Sequence, residues 1–166
     1  MTDDALTAFD AAIAHMKHAD DAWQALRVLA ETLVGAKLFT VLVVDWANER
    51  TGRVFTSHPE AYPVSGTKPI RRTEWFDVVH TRREAFVANT IEEMKPHFPD
   101  HDLIWSLGCG SIINLPVEIA GEMVATINLL NEEHFYTPAR VAAAARLALP
   151  AKTAYLAAWY LQREPE

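Results

Sequence analysis

The sequence predicts an α/β (α+β) fold: a mainly antiparallel sheet of five or six strands, with terminal helices over one face. Three observations lead there. Apolar residues recur at helical spacing at both ends of the chain, β-rich runs occupy the middle, and short polar or glycine-containing links join neighbouring runs in the manner of hairpins rather than long crossovers. With 166 residues, 50% hydrophobic and 22% charged, the chain reads as a single domain over 1–166, large enough to remove roughly 70% of its unfolded surface from water.

In chain order, Leu6, Phe9, Ile13 and Met16 fall on one stripe of a helix over Ala5 to His18, which is read as a packing face. A second helix over Asp21 to Val34 keeps the same period through Trp23, Leu26, Leu29, Ala30 and Leu33. The acidic pair Asp20 and Asp21 stands near its start and Gly35 supplies its stop. These helices form an N-terminal segment, 1–36. Leu38 to Trp46 is rich in β-branched and aromatic residues and reads as a central strand. A polar loop, Asn48 to Gly52, leads into a second strand over Arg53 to Ser57. Residues 58–69 contain Pro59, Pro63, Pro69 and Gly66, which predicts a long loop or flap.

Thr73 can cap a short helix through Trp75, Phe76, Val79 and His80, and Phe86 to Asn89 reads as a brief edge strand. Two short helices, Thr90 to Lys95 and Asp100 to Leu107, are kept apart by Pro96 and Pro99. Gly110 to Glu118 and Glu122 to Leu130 flank Ile119-Ala120-Gly121 and form the clearest hairpin in the chain. The sheet and its covering loops thus occupy 37–136. Thr137-Pro138 opens a C-terminal helical segment, 137–166, which Pro150 should kink or split.

Composition narrows the partners. Fifteen Lys and Arg against 22 Asp and Glu leave a formal charge of −7, which disfavours the phosphate attraction that drives nucleic-acid binding. The start, Met1-Thr2-Asp3-Asp4, is acidic and lacks a signal peptide's basic and apolar segments. No apolar run approaches the roughly 20 residues that cross a bilayer, so neither membrane insertion nor export is expected. The single cysteine, Cys109, excludes an intrachain disulfide and any multi-thiolate zinc site, and a cytoplasmic protein is the expectation.

From Asp21 to Leu149 the chain resembles the GAF family of small-molecule sensor domains. The second half carries the resemblance: a small, glycine-containing step, the strand Ser111-Ile112-Ile113-Asn114-Leu115-Pro116-Val117, the turn at Gly121, and the strand Ala125-Thr126-Ile127-Asn128-Leu129-Leu130. The run from Asn131 through Phe135 to Tyr136-Thr137-Pro138 is similar as well. The resemblance implies a pocket on the sheet face opposite the terminal helices, roofed by residues 59–109. Branches of the family bind cyclic nucleotides, bilins, haem or small metabolites there, and one reduces free methionine sulfoxide. This chain departs from three of those branches. Asn128 is followed by Leu129 rather than Lys, and Pro138-Ala139-Arg140 stands where the cyclic-nucleotide branch has Asp-Glu. Cys109 is not in the Cys-His pair of many bilin binders, and the reductases use several cysteines where this chain has one. No specific cofactor motif is present, so the cofactor stays unassigned.

Ligand sites are mostly apolar with a few convergent polar groups. The roof supplies Tyr62, Trp75, Phe76, Phe98 and Trp105, and alternation sets Ser111 and Ile113 on one face of their strand and Thr126 and Asn128 on one face of the next. These nine residues are the candidate ligand-binding set for a small organic molecule. The alternative is that the aromatic residues fill the space and leave an interaction module. Cys109 has no Lys or Arg within ten residues and follows a helix end, so it reads as a small buried residue rather than a reactive thiol. His97 and His101 are four apart with Pro99 between them, which opposes a shared helix face for a metal. Arg71-Arg72 and Arg82-Arg83 suit salt bridges or the rim of an anion site. No motif for hydrolytic, zinc-protease or nucleotide-phosphate chemistry is present, and no catalytic residue is assigned.

The terminal helices, with Trp159 and Tyr160 near the end, carry more apolar surface than one sheet face needs, which predicts a homodimer. The reading is a standalone cytoplasmic sensory domain that signals through a partner or a dimer interface. The interaction module is the alternative, and a thiol-dependent redox enzyme related to the methionine sulfoxide reductases comes third.

Overall fold

A computed structural model describes residues 2–64 and 66–163. Helices α1 (Thr2–Ala14) and α2 (Ala19–Leu33) precede strands β1 (Leu38–Asp45) and β2 (Arg50–Thr56). After a loop come β3 (Lys68–Pro69), α3 (Glu74–Phe76), β4 (Phe86–Ala88), α4 (Ile91–Met94) and α5 (His101–Ser106). The long hairpin β5 (Ser111–Ile119) and β6 (Glu122–Asn131) follows, then α6 (Pro138–Ala144) and α7 (Ala148–Gln162). One six-stranded sheet has the order β3-β2-β1-β6-β5-β4, with every neighbouring pair antiparallel. The predicted architecture is therefore the observed one.

Local chemistry moves several boundaries. Asp21 accepts hydrogen bonds from the backbone N–H of Lys17 (2.8 Å) and His18 (2.9 Å). These bonds hold its carboxyl below the usual carboxylate range and organise the start of α2, so α1 ends at Ala14 instead of running to His18. The β1–β2 turn is tighter than the predicted Asn48–Gly52 loop. Asp45 accepts from both the backbone and side-chain amides of Asn48, Glu49 takes φ 49°, and β2 already begins at Arg50, placing Gly52 inside the strand opposite Val43. The β5–β6 hairpin closes through Ala120 (φ 52°) and Gly121 (φ 82°), the left-handed pair that a two-residue turn demands.

At the C-terminal end, Thr137 caps α6 by accepting from the N–H of Arg140, and the helix breaks, but before Pro150. Residues Ala145–Leu147 form a 3₁₀ turn, and Pro150 lies in the first turn of α7. Its missing N–H costs nothing there, because first-turn amides have no helical acceptor. Residues 164–166 of the predicted C-terminal segment lie outside the described residues.

The helices bury one face of the sheet. Phe39 and Val41 of β1, Ile113 and Val117 of β5, and Ala125, Ile127 and Leu129 of β6 pack against Trp23, Leu26 and Ala30 of α2 and Ala151, Ala154 and Ala158 of α7. Small residues on α7 let it lie close, and Trp23 meets Tyr155 edge-on at 6.4 Å. A smaller core on the opposite face joins Leu38, Ile112 and Leu130 to Tyr62, Ala88, Met94, Ile104 and Cys109. Because side chains alternate along a strand, Ile112 and Ile113 lie in different cores.

Candidate functional site

The site is built on the second face, beyond that smaller core. Register pairs Thr40 with Asn128 and Asn128 with Asn114, setting three polar side chains in one row across β1, β6 and β5. Directly opposed residues bring their Cβ atoms within about 5.5 Å, so short side chains can touch. Asn114 Nδ2 donates to Asn128 Oδ1 (2.6 Å), and Asn128 Nδ2 donates to Thr40 Oγ1 (3.1 Å). Trp75 extends the row from the roof, its Nε1 donating to Asn114 Oδ1 (2.9 Å). All three strand residues are buried, and burial without these partners would cost about 1–3 kcal/mol per group.

Above the row lies a cavity of about 250 Å³, floored by Thr40, Asn114 and Asn128 with Leu42, Ile112 and Leu130, and walled by Arg53, Tyr62, Lys68, Trp75, Phe98, Asp100 and Ile104. Trp75 and Leu42 also border a second hollow of about 60 Å³, which Trp46, Phe76, Met123, Thr126 and Arg71 help to enclose. The hydroxyl oxygen of Thr126 is buried there without a hydrogen-bond partner.

The flap forms one wall because both its ends are tied down. Arg50 donates from Nε to the Thr67 hydroxyl and from a terminal nitrogen to the Thr67 carbonyl, each at 2.6 Å, and the Tyr62 N–H donates to the His58 carbonyl (2.8 Å). Inside the flap, Arg53 lies over the Tyr62 ring at 3.7 Å and donates to the Pro63 carbonyl (2.8 Å). Its other terminal nitrogen is 4.0 Å from Asp100. The Tyr62 hydroxyl donates to Asp100. Burial, and then the Asp100 carboxylate, push the Tyr62 phenol above its ordinary range, so it stays a donor.

The remaining roof follows from the Thr73 cap, whose hydroxyl accepts from the Phe76 N–H (3.4 Å). One turn later the helix widens into a π-turn over Asp77–Thr81. There His80 stacks on Phe76 at 4.4 Å and meets Trp46 at 4.6 Å. Burial, then the charges of Arg83 and Arg72, hold its pKa below the ordinary histidine value.

Of the nine predicted residues, Tyr62, Trp75, Phe98 and Asn128 line the larger cavity, and Phe76 and Thr126 border the smaller one. Three lie elsewhere. Ile113 packs in the helix-side core, and Ser111 donates to the carbonyls of Asn131 (3.2 Å) and Glu132 (2.6 Å). The cavity face of β5 is the even-numbered one, because Asn114 and not Ile113 stands opposite Asn128. Trp105 is 53% exposed and borders a shallow groove with Gly108, Gly110, Glu132 and Glu133. Its helix turns the ring outward. Arg53, Lys68, Asp100, Thr40 and Asn114 escaped the sequence reading, although a one-residue shift on β5 would have found Asn114.

Other candidates resolve into packing. His97 meets Phe86 edge-on at 4.8 Å, and His101 Nδ1 lies 2.8 Å from the Phe98 carbonyl. Among the described residues, no group of three or more His, Cys, Asp or Glu is placed to hold a metal. Cys109 is buried. Lys37, distant in sequence, approaches and favours the thiolate, yet burial outweighs it and the thiol is pushed up to about 11. Arg72 pairs with Glu49 (3.2 Å) and Arg82 with Glu84 (3.5 Å), while Arg83 reaches Glu118 and the Gly121 carbonyl. No helix among the described residues is long and apolar enough to cross a membrane.

No family model and no curated protein matches this chain in sequence. Solved structures do match it in shape. The GAF domain of an Acinetobacter phosphoenolpyruvate-protein phosphotransferase superposes with a TM-score of 0.71 at 10% identity, over 98% of this chain and 96% of that one. The GAF domain of a two-component sensor histidine kinase from Bacillus halodurans gives 0.68 at 14%, over 86% and 97%. A free methionine-R-sulfoxide reductase from Neisseria meningitidis, in complex with its substrate, gives 0.67 at 14%, over 96% and 90%. At such identities the likeness speaks for the fold, and the fold of this chain is that of the GAF domains.

Proposed function

We propose that this protein is a sensory domain that binds a small organic molecule in the cavity above the Thr40–Asn128–Asn114 row and reports occupancy through its terminal helices. The observation that carries this reading is the combination of open volume with a buried, fully linked polar floor. A domain that needed only packing there would be better served by apolar side chains. Similar folds in a sensor histidine kinase and in a methyl-accepting chemotaxis protein support the sensory class. The route outward is short. Asn128 lies between Ile127 and Leu129, which contact the helical layer, so a shift of β6 on ligand binding is felt by α2 and α7.

The helical layer supplies the surface for signalling. Val28 is 50% exposed, Leu149 73% and Tyr160 69%, and a largely apolar groove runs between α1 and α2 beside Ala5, Ala8, Ala12, Ala25 and Val28. We assign this layer to a homodimer contact, within a cytoplasmic protein whose one thiol suits a reducing compartment. An enzyme acting through Cys109 is disfavoured, because its thiol titrates near 11.

Native mass spectrometry beside the denatured intact mass tests both statements. The expected result is a dimer that carries a reproducible extra mass, lost on denaturation. A monomer at micromolar concentration removes the dimer, and a clean apo species that also fails to bind any compound of a fragment library leaves the interaction module as the reading.

A further inference from the structure

We propose that the cavity takes a small monoanionic carboxylate with a compact apolar or aromatic body, its head group received between Arg53 and Lys68. The inference rests on the small-molecule reading above and names the chemistry of that ligand. Charge is the first argument. The protein carries −7 overall, yet among the described residues the formal charges lining this cavity are Arg53 and Lys68 against Asp100. The Lys68 side chain is exposed, and no described residue forms an ion pair or hydrogen bond with its ammonium group. One positive charge is left over, which a single carboxylate balances and a phosphate dianion exceeds. Lys68 pairs with Thr51, two residues before Arg53 on β2, so both cations belong to the same edge of the sheet.

Preorganisation is the second argument. The Arg53 guanidinium is held by the Pro63 carbonyl, by the Tyr62 ring face and loosely by Asp100 at 4.0 Å. Its Nε–H is buried with no acceptor. These contacts use only part of its five donors, and Asp100 is itself engaged by the Tyr62 hydroxyl. A planar fork, already fixed and incompletely paired, favours a carboxylate because little side-chain entropy remains to be lost on binding. The floor agrees. Asn114 and Asn128 each use one amide hydrogen in the row, and Thr40 accepts within it. One N–H on each amide and the Thr40 hydroxyl hydrogen are surplus to those bonds and suit an acceptor oxygen.

Size and lining set the rest of the molecule. About 250 Å³ is the liquid volume of roughly eight waters, less than the cavities that take drug-sized ligands. Phe98, Ile104, Ile112 and Leu130 line the same space, so the body is apolar and about one ring in size.

The test is calorimetric titration of the full chain, at pH 7 and low salt, with benzoate, benzamide and phenyl phosphate. Benzoate should bind at least tenfold more tightly than benzamide and more tightly than phenyl phosphate. Arg53→Gln should weaken benzoate at least tenfold while leaving benzamide within twofold. Arg53→Lys should restore part of that loss, and Lys68→Gln should cost severalfold. Where Arg53→Gln lowers the thermal transition through its flap contacts, the edge substitution Lys68→Gln carries the test. Benzamide equal to benzoate would overturn the carboxylate while leaving the small-molecule cavity intact. Tighter phenyl phosphate would replace it with a phosphate ester. If none of the three binds at millimolar concentration, the ring-sized carboxylate falls, and the native mass measurement decides whether the cavity reading falls with it.

Discussion

The two faces of the central sheet are made from the same three strands, yet they are opposite environments. Toward the helices, Phe39, Val41, Ile113, Ile127 and Leu129 are fully buried and wholly apolar. Toward the flap, the residues next to them in sequence are Thr40, Asn114, Thr126 and Asn128; Thr40, Asn128 and Asn114 are linked by hydrogen bonds beneath the larger cavity, and Thr126 borders the smaller hollow with its hydroxyl unpartnered. The helix face obtains its stability from dispersion and apolar burial, which are insensitive to the identity of any distant ligand. The cavity face carries polar groups that are costly to bury, and they hold one another in place. One side of the sheet keeps the fold while the other is left able to specialise.

Substitutions sharpen this contrast. Leu129→Ala removes a fully buried side chain between the sheet and the helical layer, and urea unfolding should show a loss of about 2–5 kcal/mol. Asn128→Ala strands its neighbours in the row, Asn114 and Thr40, and should cost about 1–3 kcal/mol. A larger loss at Asn128 than at Leu129 would break the comparison. Trp75→Phe keeps an aromatic ring but removes the N–H bonded to Asn114 together with the bulk of the five-membered ring. It should cost about 1–2 kcal/mol in unfolding experiments while altering affinity for the proposed ligand more than the proposed dimer contact.

Cys109 is a kinetic probe of the cavity-side core. With its thiol near 11, about one molecule in a thousand is thiolate at pH 8, so iodoacetamide labelling should be slow in the native state and fast in urea. Rapid native labelling would show that this side of the sheet opens readily.

The smallest effect concerns pH. His80 has a folded pKa below its ordinary 6.5, so as pH falls through 6.5 the unfolded chain takes up a proton that the folded chain refuses. Its contribution is present above 6.5 and lost below it. The acid-side decline in stability should therefore be shallower in His80→Phe than in the parent. An identical decline would show that the ring between Trp46 and Phe76 is hydrated.

Much of this was legible in the sequence for local reasons. The turn at Ala120-Gly121, the Thr73 and Thr137 caps, and the alternation through β5 and β6 are each determined by residues within a few positions of one another. The errors share another origin. Alternation states that Ile112 and Ile113 face opposite ways, but not which way either faces. That choice depended on the register that sets Asn114 against Asn128, which was not legible from β5 alone. Trp105 has the composition of a pocket residue and points outward because α5 presents Ile104 to the core instead.

By itself the sequence determined the antiparallel sheet, the helix-side layer, the flap and the order and type of the elements apart from the two-residue strand Lys68–Pro69, which it read as loop, because propensity, capping and hairpin chemistry act over short distances along the chain. Tertiary structure alone decided that Arg53, Tyr62, Lys68 and Asp100 meet above the amide row, and that Lys37 lies near Cys109 without activating it. Those outcomes turn on strand register, on the return path of the flap and on burial, which are properties of the packed molecule and not of any local stretch.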